Sequence, residues 1–353
     1  MSTLSSSAGP ADVSPPAPAT RSLRTLSCVV PAHDEGEGLR AFVQELARSV
    51  APLAERCEIV VVDDGSGDGS VEALLPLAPA LGLQVLRLSR NFGKEAALTA
   101  GLRAARGQAV LLIDADFQHP LELVPRFVEL WRAGCPMVYG IQQRRVSRNP
   151  LRRAASRAYH RLMTGMGEVP IPPDAGDFRL LDRACVDALL ALPERNRYMK
   201  GMYAWIGFPA VGVPFTPAAR RHGRTRFSLR ALARLGLTGL VAFSNVPLRL
   251  VSAAGLLVSL AALAYAGYIL FEWAFLGQPI VGFTTLAASI LLGTGLQLIG
   301  LGVLGEYLAR VYTEVKQRPD YIVAAHCDCS PLAADAAAAA TFDAADRPAG
   351  DAR

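Results

Sequence analysis

Ala109-Val-Leu-Leu-Ile-Asp-Ala-Asp116 is an apolar run that ends in two carboxylates separated by one small residue. A short continuous apolar run bounded by polar residues reads as a strand buried on both faces. The same pattern recurs on either side of it. Leu26-Ser-Cys-Val-Val-Pro31 and Glu58-Ile-Val-Val-Val-Asp63 are two further runs of this kind, and 84–88 and 137–141 are two more. Between them 39–53, 71–77, 95–105 and 121–131 carry helical spacing. Buried strands alternating with helices predict an α/β domain with a mainly parallel sheet covered on both faces. Ligands of such sheets bind beyond the carboxyl ends of the strands. The polar clusters fall at those ends: His33-Asp34-Glu35, Asp63-Asp64, Arg90-Asn91, and Asp114 with Asp116.

The spacing of Asp114 and Asp116 lets both carboxylates share one hard cation, Mg2+ or Mn2+, which would bridge to a diphosphate. Gln118 is a third oxygen donor in reach. Such pairs also serve as ordinary loop caps, so the neighbours matter. Asp63-Asp64-Gly65-Ser66 reads either as a strand-ending turn or as a carboxylate that accepts from a nucleobase or ribose. Pro31-Ala-His33-Asp34-Glu35 ends the first strand in the same manner. Ser89-Arg-Asn-Phe-Gly-Lys94 opens a helix, where backbone N–H groups with Arg90 and Lys94 beside them suit an anion. No G-x-G-x-x-G follows the first strand, which excludes a dinucleotide-binding dehydrogenase.

The second half changes character. Residues 250–271 and 273–305 carry no charge. About 20 apolar residues cross the hydrocarbon core, so we expect two spans, at 250–272 and 283–305. Arg234 and Arg249 precede them and Arg310, Lys316 and Arg318 follow, which predicts that both outer ends face the cytoplasm. The stretch 229–248 mixes Arg230 and Arg234 with apolar residues and reads as interfacial helices. The net charge is +5, and 130–167 and 195–271 contain no acidic residue. These basic blocks adjoin the spans, which favours an anionic membrane surface over nucleic acid. The six cysteines form no C-x-x-C pair, so no disulfide framework is expected, and Cys327 and Cys329 fall in what reads as a tail.

Together these motifs resemble the nucleotide-sugar glycosyltransferases of family 2, which have the GT-A fold. The resemblance spans roughly 26–323. Within that family the chain looks most like the polyprenyl-phosphate branch of bactoprenol glucosyltransferases and dolichol-phosphate mannose synthases. It rests on Val30-Pro-Ala-His-Asp-Glu35, Val61-Val-Asp-Asp-Gly-Ser66, Ser89-Arg-Asn-Phe-Gly-Lys-Glu-Ala-Ala-Leu98 and Asp114-Ala-Asp-Phe-Gln118. Gly176-Asp-Phe-Arg-Leu-Leu181 and Leu192-Pro-Glu-Arg-Asn-Arg-Tyr-Met-Lys-Gly201 complete it.

The resemblance implies inverting transfer of a sugar, glucose on UDP by the nearest subgroup, to undecaprenyl phosphate at the cytoplasmic membrane face. Pro31, His33, Glu35, Val62 and Asp64 would form the base and ribose pocket. Lys94, Asp114 and Ala115 would meet the nucleotide sugar, and Asp114, Asp116 and Gln118 the metal. Asp116 and Asp177 would act at the reacting groups, and Arg195 and Lys200 at the acceptor phosphate. Arg220 and Arg226 match the basic ends of a phosphate-holding R-x-x-G-x-S-K motif. Here it reads Arg220-Arg-His-Gly-Arg-Thr-Arg226, with Arg where Lys is usual, and His33 stands where Tyr or Asn is commoner.

The expected organisation is a disordered leader at 1–24, the GT-A domain at 25–228 and juxtamembrane helices at 229–248. A two-helix membrane region at 249–307, a cytoplasmic extension at 308–326 and a disordered tail at 327–353 follow. Glycines in 289–304 would suit packing against a second copy. The competing readings are a non-catalytic membrane scaffold with a degenerate transferase domain and a GDP-mannose-using enzyme.

Overall fold

The structure is a computed structural model, and it describes residues 21–143, 175–195, 197–217, 246–271, 275 and 282–333. The α/β half begins with β1 (Thr25–Ala32), α1 (Gly38–Val50) and β2 (Arg56–Asp63). A 3-10 turn (Glu72–Leu77), α2 (Ala78–Leu81), β3 (Leu83–Leu88), α3 (Lys94–Ala104) and β4 (Ala109–Leu112) follow. Then come α4 (Val124–Arg132), β5 (Met137–Gln142), β6 (Ala175–Asp182), α5 (Arg183–Ala191), α6 (Met199–Trp205) and β7 (Ala210–Phe215). The expected helix at 71–77 is this 3-10 turn, with Pro76 inside it. Pro79 sits in the first turn of α2, where its missing N–H costs nothing, so it starts a helix instead of ending one.

The sheet order is β7-β5-β6-β4-β1-β2-β3-β8. β1 pairs in parallel with both β2 and β4, and β2 with β3. The chain builds outward from β1 through β2 to β3, then returns to lay β4 on the other side of β1. The crevice between β1 and β4 is therefore the topological switch point, where ligands of such sheets bind. β6 runs antiparallel to β4, with Leu112 opposite Arg179. That register brings the start of β6, at Gly176-Asp177, beside the carboxyl end of β4.

Period-two alternation divides the strand residues between two cores. Val30, Ile59, Val61 and Leu111 pack under α1 and α4 with Phe42, Leu46, Phe127 and Trp131. Val29, Val60, Val62, Val110 and Leu112 face α3, α5 and α6 with Leu98, Leu102, Val186, Leu189 and Met202. Each fully buried side chain of this size contributes about 2 kcal/mol. α3 lies so close to the sheet that a β-carbon on Gly101 would stand 2.2 Å from Val29 Cγ1.

α7 (Val246–Phe271) and α8 (Phe283–Val315) follow, and α8 approaches α7 at Gly300, 3.3 Å from Val251 Cγ1 by the same measure. Leu256, Leu257, Leu263, Leu292, Leu301 and Leu308 are exposed along them. Among the described residues one stretch, Leu292–Val315, is long and apolar enough by length and composition to cross a membrane. It begins later than the 283–305 expected from sequence.

The expected tail needs correcting. β8 (Val323–Asp328) pairs antiparallel with β3, so the ordered chain does not end at Cys327. Beyond β8, Cys329 N–H donates to Leu83 O at 2.9 Å, and Leu332 is buried. Val-Ala-Ala-His-Cys-Asp has weak strand propensity, and its conformation comes from covering the open edge of β3. All six cysteines are free thiols; Cys28 is buried, and Cys327 and Cys329 have their sulfurs 4.0 Å apart.

Candidate active site

Asp114 leaves β4 at the switch point, after Ile113 has extended the pairing by donating to Val29 O at 3.1 Å. Lys94, the first residue of α3, places Nζ 2.6 Å from Asp114 Oδ1, 2.8 Å from Asp114 Oδ2 and 3.0 Å from Asp177 Oδ2. One ammonium thus bridges two carboxylates from neighbouring strands. His119 Nε2 lies 3.4 Å from Asp114 Oδ2, and its ring stacks on Phe178 at 4.9 Å. Burial pushes the Asp114 carboxyl up, but Lys94 and His119 outweigh it and hold the group well below the usual carboxylate range. Burial likewise opposes the Lys94 charge, and the two aspartates hold it protonated.

Asp177 Oδ1 is buried and finds no hydrogen-bond partner among the described residues. Beside it, burial and the Asp177 charge push Glu95 up to about 7. Glu95 Oε2 accepts from the backbone N–H of Met199, at the start of α6, at 3.3 Å. Asp116 Oδ1 accepts from Gln118 N–H at 3.0 Å across a turn in which Phe117 takes a φ of +58°. Ala115 between the two aspartates is buried. Among the described residues no group of three His, Cys, Asp or Glu side chains is set as a preformed metal cage.

The ends of β1 and β2 build the neighbouring wall. Pro31 pairs with Val62 at the last turn of the sheet. The Val62 side chain points into the second core. Asp64 is buried, and its oxygens accept from Phe92 N–H at 2.7 Å and Gly93 N–H at 2.8 Å. It therefore fixes the loop that presents Lys94. Gly65 has a φ of +71°, and a β-carbon there would lie 2.5 Å from Arg90 C, so only glycine lets the two loops touch. His33 Nε2 is 2.9 Å from Asn91 Nδ2, and Asp34 Oδ1 accepts from Gly67 N–H at 3.1 Å. Glu35 follows in the same loop after β1.

The structure thus brings together Lys94, Asp114 and Asp177, with Asp64 and His33 bonded to the loop that carries Lys94. Ala115, Asp116 and Gln118 follow Asp114 in the chain, and Pro31 precedes His33 at the end of β1. Lys200 stands near Glu95, at the start of α6. Arg195, expected at the acceptor phosphate, is engaged by α8: its N–H donates to Glu314 Oε1 at 3.1 Å and its guanidinium to Arg318 O. Arg220 and Arg226 lie outside the described residues, as does 229–245. Sequence reasoning passed over Glu95, His119 and Arg179. Arg179 is buried, stacked 4.2 Å from the Tyr203 ring and bonded to Gly176 O at 2.9 Å. Its signal was the alternation of Asp177 and Arg179 on one face of β6.

The chain matches the Glycosyl transferase family 2 model over residues 27–190. It is 40% identical over 299 residues to an uncharacterized glycosyltransferase of Synechocystis, covering 84% of this chain and 94% of that one. It is 38% identical over 299 residues to the SfII prophage-derived bactoprenol glucosyl transferase of Shigella flexneri, covering 84% of this chain and 97% of the relative. Among solved structures, a mannosyltransferase from Pyrobaculum calidifontis in complex with GDP-Man and Mn2+ is 17% identical. It covers 97% of this chain and 85% of its own, with a TM-score of 0.42.

Proposed function

Because this chain belongs to glycosyl transferase family 2, and is a glycosyltransferase with an α/β GT-A catalytic domain, we propose that it transfers glucose from UDP-glucose to undecaprenyl phosphate. The observation that carries this reading is the meeting of Asp114, Asp177 and Lys94 at the switch point of the sheet, with Asp116 two residues beyond Asp114, in a chain so similar to bactoprenol glucosyl transferases.

The reaction is a direct displacement with inversion. An acceptor phosphate oxygen forms the new bond to the anomeric carbon as the bond from that carbon to the donor diphosphate breaks, and the electron pair leaves with the nucleotide diphosphate. A phosphate monoester is already anionic, so no strong general base is required. The difficulty is to hold two anions together and to neutralise the leaving group. Lys94 is charged and placed to do the second, and Asp64 holds the loop that aims it. Pro31, His33, Glu35 and the backbone of Val62 line the wall for base and ribose. Asp177 faces the acceptor and orients its phosphate. Lys200, and Arg220 and Arg226 from outside the described residues, add positive charge around it.

The donor set fits a divalent metal. Asp114 and Asp116 offer hard carboxylate oxygens with Gln118 adjacent, and nearby Asp177 keeps a buried oxygen without a partner among the described residues. Mg2+ or Mn2+ held by Asp114 and Asp116 would neutralise the diphosphate when bound.

We read α7 and α8 as two membrane spans. β7 and β8 belong to one sheet, so the intervening chain leaves the catalytic domain and returns to it. A segment that crosses must cross back, and an even number of crossings follows. The basic residues at the outer ends support a cytoplasmic catalytic domain.

The test is transfer of label from a panel of UDP- and GDP-sugars into extractable lipid, by purified protein with undecaprenyl phosphate. Label from UDP-glucose alone, lost with EDTA, is the expected result. Label from GDP-mannose instead would overturn the donor assignment, and no label from any donor would overturn the reaction.

A further inference from the structure

The catalytic domain and α8 meet at a joint that the reaction itself does not require. Arg197 is buried, its side chain 4% exposed. Its NH2 donates to Leu192 O at 2.8 Å and its Nε to Glu194 O at 3.1 Å, while NH1 lies 3.5 Å from Leu189 O. These carbonyls include the open end of α5, so Arg197 is the cap of that helix. Its Nε also lies 3.7 Å from Asp320 Oδ2, five residues past α8, and that carboxylate is 11% exposed. Two positions earlier, the Arg195 N–H donates to Glu314 of α8 and its guanidinium to Arg318 O. One position after Asp320, the Tyr321 ring lies under Arg103 of α3 at 5.6 Å. Ser89 N–H then donates to Ile322 O at 2.8 Å.

The last two contacts end on elements that carry the site, and Arg197 lies in the loop that leads into α6. α3 begins with Lys94 and Glu95. α6, which starts directly after this loop, donates Met199 N–H to Glu95. Ser89 opens the loop that Asp64 holds. A shift of the end of α8 that moves Arg197 is therefore passed through the start of α6 to Glu95, beside Asp177. A surface ion pair would not transmit such a shift, but a buried one that is bonded to a helix end does so, because its partners cannot rearrange independently.

We propose that Arg197 and Asp320 are positioning residues that hold the end of α8 in register with the acceptor side of the active site, so that a phosphate presented from a bilayer arrives at Asp177. This rests on the polyprenyl-phosphate reading above. The Arg197–Asp320 pair acts on acceptor presentation through α6, while the Ile322–Ser89 bond and the Tyr321–Arg103 contact, which reach the elements carrying Lys94, are kept when the pair is broken.

Asp320→Asn is the sharp variant. It keeps the shape and removes the charge, and Arg197 retains its three carbonyls, so the fold persists. Arg197→Lys, which loses the multi-carbonyl fork, is the second variant. Each is compared with the wild type in liposomes containing undecaprenyl phosphate, in detergent with a short isoprenyl phosphate, and by calorimetric titration with UDP-glucose. The expected result is a KM for the bilayer acceptor raised about tenfold, with kcat for the short acceptor and the donor Kd within about twofold of wild type. An unchanged KM for the bilayer acceptor in both variants overturns the proposal. Equal losses in all three arms also overturn it, because they mark a structural role alone. A wild type that transfers to neither acceptor overturns the polyprenyl-phosphate reading first, and this inference with it.

Discussion

At the end of the sheet where β1 and β2 begin, Glu58 is fully buried and accepts from Ser27 Oγ at 2.5 Å, from Arg106 N–H at 2.7 Å and from the Ser330 hydroxyl. At the opposite end, where β1, β2 and β4 finish, Asp177 keeps a buried oxygen with no partner among the described residues and shares one lysine with Asp114. Both ends bury carboxylates in the same sheet. The first satisfies its charge with donors drawn from β1, the turn before β4 and the segment after β8, and so fastens the chain. The second leaves charge unsatisfied, which is costly unless a ligand completes it. The difference separates the stabilising end of the domain from the end we propose to be reactive.

The largest expected effect falls at the reactive end. Asp116→Ala lowers transfer by about a thousandfold or more, and EDTA does the same to the wild type, while the thermal midpoint without metal stays put. Transfer within tenfold of wild type would break the contrast. Lys94→Ala is next, with kcat/KM down about a hundredfold. It also removes the charge that holds the Asp114 carboxyl low. That carboxyl then protonates at higher pH, and the acid limb of the rate profile moves upward in pH; an unmoved limb would show that Lys94 does not govern Asp114.

At the fastening end, Glu58→Ala strands three donors. It lowers stability by about 3 kcal/mol in denaturant titrations and changes kcat less than about twofold. A loss of activity at unchanged stability would reverse the roles of the two ends. The smallest effect is at Glu95, whose carboxyl is raised from 4.5 to about 7 by burial and Asp177. A raised acid is destabilising once the unfolded state ionises more readily than the folded one. Its cost is absent below about 4.5 and grows as pH rises to about 7, so Glu95→Gln gains about 1–2 kcal/mol on wild type between pH 5 and pH 8, after its partial exposure is discounted. A pH-independent difference would contradict the shift.

Much of the reactive end was legible in the sequence, because a buried parallel strand announces itself as an apolar run and its ligands stand just beyond it. Asp114, Asp116 and Asp64 follow from that rule. Asp177 did not. Its approach to Asp114 depends on β6 running antiparallel to β4 with Leu112 opposite Arg179, and no local pattern encodes that register. The fastening end was harder to read. Glu58 opens an apolar run and Ser330 lies in what reads as a tail, so nothing in either neighbourhood tells that they meet. β8 was missed because Ala325 and its neighbours have little strand preference of their own; the exposed edge of β3 makes the strand. The multi-carbonyl role of Arg197 was hidden between Arg195 and Lys200, which sequence reasoning expected at the acceptor phosphate.

The most direct measurement of the central claim is mass analysis of the lipid recovered after wild type and Asp116→Ala act, side by side, on undecaprenyl phosphate and UDP-glucose in liposomes. The account expects undecaprenyl phosphate heavier by one hexose, in the inverted anomeric configuration, from the wild type alone. A lipid unchanged by folded, metal-supplied wild type, or modified equally by both proteins, would contradict it.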